Sequence, residues 1–174
     1  MDLALAEREN TILGQDFLTW LWHATEARNG IFKDREGREF HLRMEERLSV
    51  QGGDGEGLES ASVKSPSGEL TEARSGLRTG KKVSRAQLRF ERDPEAWQVT
   101  VKDADFSLSG LKTPKIETKD REDDDPDARV LEKLFLIEQC LELLDCVYAE
   151  FLAVRLGSKW REQTEDVRVW ITKG

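Results

Sequence analysis

The feature that most constrains this chain is a long apolar stripe near its carboxy terminus. Val130, Leu134, Ile137, Leu141, Leu144, Tyr148 and Phe151 recur in alternating steps of four and three, the spacing that gathers side chains on one face of an α-helix. Leu131, Phe135, Leu143, Val147 and Leu152 widen the stripe beyond a narrow coiled-coil seam. From Asp127 to Leu156 such a helix spans roughly 45 Å, and a face this wide points to packing across a sheet. Gly157 ends it, and Trp160 and Trp170 in the short terminal segment are placed to close the core.

Upstream, the period changes from helical to two. Ala86, Leu88 and Phe90 alternate with Arg85, Gln87 and Arg89; after Asp93-Pro94, Trp97, Val99 and Val101 alternate with Gln98, Thr100 and Lys102. That is a hairpin with one buried and one wet face. Phe40, Leu42 and Met44 alternate with His41 and Arg43, Leu48 and Val50 continue, and the glycine-rich stretch from Gly52 to Gly57 reads as a hairpin tip before a weaker strand from Leu58 to Lys64. Glu69 to Thr79 reads as a short helix ending at Gly80. Gln15 to Arg28 reads as an amino-terminal helix with Phe17, Leu18, Leu21 and Trp22 on its apolar side, preceded by a flexible stretch over residues 1–14. Trp20 falls off that stripe, which leaves it either to pack against another element or to lie exposed as an interaction residue; Trp20 and Trp22 are the candidate interaction residues. Glu117 to Asp127 carries seven acids against Lys119 and Arg121 and reads as a solvated linker between residues 15–116 and the helical segment 128–174. The fold expected is α+β: a mostly antiparallel sheet of four to five strands, with an amino-terminal helix and a long carboxy-terminal helix packed on one face.

Rare residues and charge exclude several function classes. No run of about 18 apolar residues is present, so no membrane span is expected, and the acids in the opening Met1 to Glu9 are unlike a signal peptide, which points to a cytoplasmic protein. Cys140 and Cys146 are six apart within a helical pattern and face different ways, which excludes a disulfide between them. His23 and His41 have no Cys-x-x-Cys partner, so no metal site is expected. Gly76 to Lys82 is one residue short of a phosphate loop and carries Lys82 where the magnesium-holding hydroxyl belongs. No Gly-x-Ser-x-Gly elbow singles out a nucleophile. The expectation is a non-enzymatic protein without a cofactor.

The formal net charge is −8, but five of those units sit in the Glu117 to Asp127 stretch. Between Ala73 and Arg92 the balance reverses: Arg74, Arg78, Lys81, Lys82, Arg85, Arg89 and Arg92 meet only Glu91. Arg74, Arg78, Lys81, Lys82, Arg85 and Arg89 are therefore candidate phosphate contacts. The competing reading is a solvated sheet face neutralised by nearby acids.

Leu13-Gly14-Gln15-Asp16-Phe17-Leu18-Thr19-Trp20-Leu21-Trp22, then a strand at Arg47 to Val50, a glycine-rich hairpin, Leu77 to Lys82, Ser109-Gly110-Leu111-Lys112 and a leucine-rich helix follow one order. That order resembles the later portion of the shorter members of the recombination-associated protein RdgC family, over roughly residues 11–171. The resemblance implies a non-enzymatic recombination-associated module that contacts duplex DNA without sequence preference. The alternative is a protein-interaction or oligomerisation module, built on the long helix and the Trp residues, that binds no nucleic acid.

Overall fold

The computed structural model describes residues 3–52, 59–64, 70–115 and 126–173. Among them the chain forms an α+β architecture of four helices and six strands. In chain order these are α1 (Leu3–Ala27), β1 (Ile31–Lys33), β2 (Glu39–Gly52), β3 (Glu59–Lys64), α2 (Thr71–Arg78), β4 (Lys82–Arg92), β5 (Glu95–Lys102), β6 (Leu108–Lys112), α3 (Pro126–Arg155) and α4 (Trp160–Lys173). All strand pairings are antiparallel, in the order β1-β2-β4-β5-β6. β3 joins the far half of β2 on the same side as β1. β1 and β6 are the strands beyond the four that alternation marks out, and at three and five residues they are too short to display a clear alternating pattern.

The alternation read in the sequence sets the layers. Phe40, Leu42, Leu48, Val50, Val83, Leu88, Phe90, Trp97, Val99 and Val101 are buried beneath the helices. α1 lies on this face, its Thr19 hydroxyl accepting from the Val83 amide at 3.1 Å. α3 crosses the same face, and the Trp97 indole nitrogen donates to its Leu136 carbonyl at 2.8 Å. α1 runs twelve residues further upstream than the expected start at Gln15, through the stretch read as flexible. Its end is a Schellman turn: Asn29 takes φ 51°, and the Gly30 amide donates to the Thr25 carbonyl at 2.7 Å. α2 stops in the same way at Gly80, which takes φ 85° as its position predicted.

Two expectations need correction. Trp20 takes the packed placement, and neither it nor Trp22 is an exposed interaction residue: they are 1% and 3% exposed, because α1 is covered on several sides. Trp20 packs against Phe151 of α3 and Trp22 against Trp170 of α4, with ring centroids 5.6 and 5.2 Å apart. In α3 the sheet-facing stripe is Leu136, Cys140, Leu143, Val147 and Phe151, not the set beginning at Val130. The apolar face is so wide that the sheet takes one edge of it, and Val130, Leu131, Leu134 and Phe135 remain exposed. The hairpin tip at 53–58 and the linker stretch 116–125 lie outside the described residues.

Candidate nucleic-acid interface

The cations between Arg74 and Arg92 do not share a surface. Those at the two ends of the run are drawn into the helical layer. The Arg74 guanidinium donates to both Glu26 carboxylate oxygens, at 2.6 and 2.7 Å, and lies over the Trp22 and Trp170 rings at 5.5 and 4.7 Å. Arg78 donates to the Ile171 carbonyl at 3.2 Å. Lys82 and Arg155 converge on Asp16, at 2.5 and 3.2 Å. Arg92 lies between Asp34 and Glu95, at 3.8 and 3.3 Å, over the Trp97 ring. Lys81 is half-buried where β4 begins, beside Gly52.

Arg85 and Arg89 are different. They lie on the outward side of β4, away from the helices, as the strand alternation requires. Cross-strand register brings them cations that a count along the sequence does not. Arg43 stands directly opposite Arg89, and Lys102 directly opposite Arg85. Gln98 pairs with Arg89 on one side and with Lys112 of β6 on the other. The face thus carries one row of Arg43, Arg89, Gln98 and Lys112 and a second row of Ser49, Arg85 and Lys102. Four strands at about 4.8 Å spacing make the first row roughly 14 Å wide, and four residues at about 3.4 Å separate the rows by roughly 14 Å.

Like charges placed opposite one another in an antiparallel pair destabilise it, and here two such pairs share one face. Arg43 and Arg89 are moderated by Glu91, at 3.5 and 2.6 Å. The Arg89 hydrogen bond, aided by Arg43, holds the Glu91 carboxyl below the usual carboxylate range against the opposing effect of its partial burial. Arg85 has no ion-pair partner among the described residues, and the electrostatic neighbour of Lys102 is Asp105 on the following turn. The signal for Arg43 and Lys102 was in the sequence, since both occupy outward positions of alternating strands; register and the edge position of Lys112 were not.

A second concave site lies between α1, α2 and α4, a cleft of about 570 Å³ that includes His23, Arg28, Arg74, Asp166 and Trp170. His23 is half-buried there, and desolvation pulls its pKa down more than Asp166 and Glu26 push it up. The cleft lining has no hydroxyl or thiol to serve as nucleophile. Its two arginines already pair with Glu150 and Glu26. Among the described residues no group of three His, Cys, Asp or Glu side chains could hold a metal ion, and no helix is long and apolar enough to cross a membrane. Burial pushes the Cys140 thiol up to about 11, the environment of an inert core residue. No family model, no curated protein and no solved structure matches this chain.

Proposed function

We propose that this chain is a non-enzymatic recombination-associated module, similar in role to the RdgC family, that holds the phosphate backbone of duplex DNA against the open face of its sheet. The observation that carries this reading is the two-row array of Arg43, Arg85, Arg89, Lys102 and Lys112 on a face that the helices leave uncovered. The rows are roughly 14 Å apart, close to the ~12 Å width of a B-DNA major groove, so each row suits one of the two phosphate strands bordering that groove. Gln98 within the first row and Gln87 between the two supply neutral hydrogen-bonding groups. None of the Phe, Trp or Tyr side chains is on this face. Single-strand binders stack bases on aromatic rings, so this surface favours the backbone of a duplex. Backbone contacts position a protein without reading sequence.

Fluorescence anisotropy of a labelled duplex of about 25 base pairs tests this, at about 50 and 200 mM salt, the range over which a protein making several phosphate contacts loses orders of magnitude in affinity. Three to four neutralised phosphates predict a log–log salt slope of about −3. Arg85→Glu with Arg89→Glu should abolish binding, whereas Arg78→Gln, in the helical layer, should leave it intact. A duplex of scrambled sequence should bind equally. Absence of binding at about 50 mM salt, where phosphate contacts are strong, overturns the proposal.

A further inference from the structure

α3 is 30 residues long, but the rest of the molecule covers only part of it. Its buried stripe starts at Leu136, and every residue from Asp127 to Phe135 is exposed. On that projecting end Val130, Leu131, Leu134 and Phe135 are 57, 67, 50 and 56% exposed, and Leu141 extends the patch at 38%. At 100° per residue these side chains centre on the side of the helix turned away from the sheet-facing stripe. Val130, Leu134, Ile137 and Leu141 follow one another in steps of four, three and four, the a and d positions of a heptad.

We propose that the projecting half of α3 pairs with the same segment of a second copy of this chain, as a short parallel, in-register coiled coil. Charge selects both the occupant and the direction. With Leu134 and Leu141 at a, and Val130 and Ile137 at d, Lys133 occupies g and Glu138 the following e. In a parallel, in-register pair, g of one helix faces the next e of its partner, so Lys133 meets Glu138 once on each side of the two-fold axis. Antiparallel pairing sets g against g and e against e, which gives neither residue an opposite charge. Lys133 and Glu138 are both exposed, and neither has an ion-pair partner in its own chain among the described residues. The pattern is complementary to itself, which an isologous contact requires. Two heptads alone would not stay helical in water, but the carboxy-terminal half of α3 is already fixed by Cys140, Leu143, Val147 and Phe151, so the projecting half extends an existing helix and needs no new nucleus.

Sedimentation equilibrium of the whole chain tests the pairing. A monomer–dimer equilibrium is expected between about 1 and 300 µM, the regime of small interfaces. Leu134→Glu should weaken association at least tenfold with an unchanged circular dichroism spectrum, because the substituted side chain is exposed. Lys133→Glu should weaken it by setting acid against acid, and adding Glu138→Lys to the same chain should restore it. A chain that is monomeric over the whole range overturns the proposal. So does a dimer indifferent to Leu134→Glu, or one in which the double charge exchange fails to rescue the single one.

Discussion

The two faces of the sheet treat charge in opposite ways. On the helical side, each of these cations has a carboxylate beside it: Arg74 with Glu26, Arg28 with Glu150, and Lys82 and Arg155 both with Asp16. These pairs are partly shielded, and several add an aromatic ring, as where Arg155 lies over Trp160 at 4.7 Å. Such cations are part of the fold's cohesion. On the open side, cations face cations across the strands, and the one acid they share, Glu91, serves two arginines. Pairing reads as structural, whereas an unbalanced array needs its counter-charge from outside. Neighbours in sequence can belong to either class, since Lys82 and Arg85 are three residues apart on the same strand.

This contrast is broken most severely from the inner face. Trp97 is 1% exposed and ties β5 to α3 through its indole hydrogen bond. Trp97→Ala should cost about 3–5 kcal/mol, the range for a large aromatic removed from a core, and lower Tm by roughly 6–20 °C for a chain of this size. Thermal unfolding followed by circular dichroism reads this directly. A loss below about 1 kcal/mol, the scale of a surface change, would mean that α3 does not depend on the sheet beneath it.

A smaller effect is expected where two cations share one acid. Asp16 is 12% exposed at its side chain and neutralises both Lys82 and Arg155. Asp16→Ala strands both, but each reaches water, so solvent screening reduces the loss to about 1–2 kcal/mol. Urea unfolding should show a lower midpoint with an unchanged slope. If stability were unaffected while duplex binding collapsed, Lys82 would belong with the open-face cations and the two faces would not differ in how they treat charge.

Much of this layering was legible because alternation and helical periodicity are local properties. The β4–β5 hairpin, the stop at Gly80 and the extent of α3 all follow from residues close in sequence. What was not legible depends on partners far along the chain. Arg74 and Arg78 looked like members of a basic patch until the fold brought Glu26 and the Ile171 carbonyl to them, 48 and 93 residues away. Trp20 lies off the stripe of a helix buried on one side only, whereas α1 is packed by the sheet on one side and by α3 and α4 on others. The upstream start of α1 is not legible in the sequence because Glu7, Arg8, Glu9 and Asn10 show no apolar period. Of the open-face array, the outward positions of Arg43, Arg85, Arg89 and Lys102 follow from strand alternation, while their assembly into rows and the place of Lys112 depend on the strand register.

Asp103, at the turn leaving β5, is the inverse of the open-face cations: an acid drawn inside without a cation. A Cβ at Gly14 would lie 2.1 Å from the Asp103 carbonyl oxygen, so glycine lets α1 close over this turn. The Asp103 residue is 6% exposed, and its Oδ2 has no hydrogen-bond partner among the described residues. Burial pushes its carboxyl above the ordinary value, and hydrogen bonds from the Gln15 side chain and the Ala104 amide pull it back only in part. An acid whose pKa is raised on folding binds its proton more tightly in the native state. Its contribution is therefore complete below the unfolded value of about 3.9 and is lost as pH rises through the higher folded one. Asp103→Asn removes the charge and keeps the shape. It should raise Tm at pH 7, and the gain should shrink as pH falls toward about 4, where the native carboxyl is itself protonated. Tm measured across that interval checks the sign. A lower Tm for the variant at pH 7 would mean that the hydrogen bonds to the carboxylate outweigh its desolvation, and that even this buried acid is adequately matched.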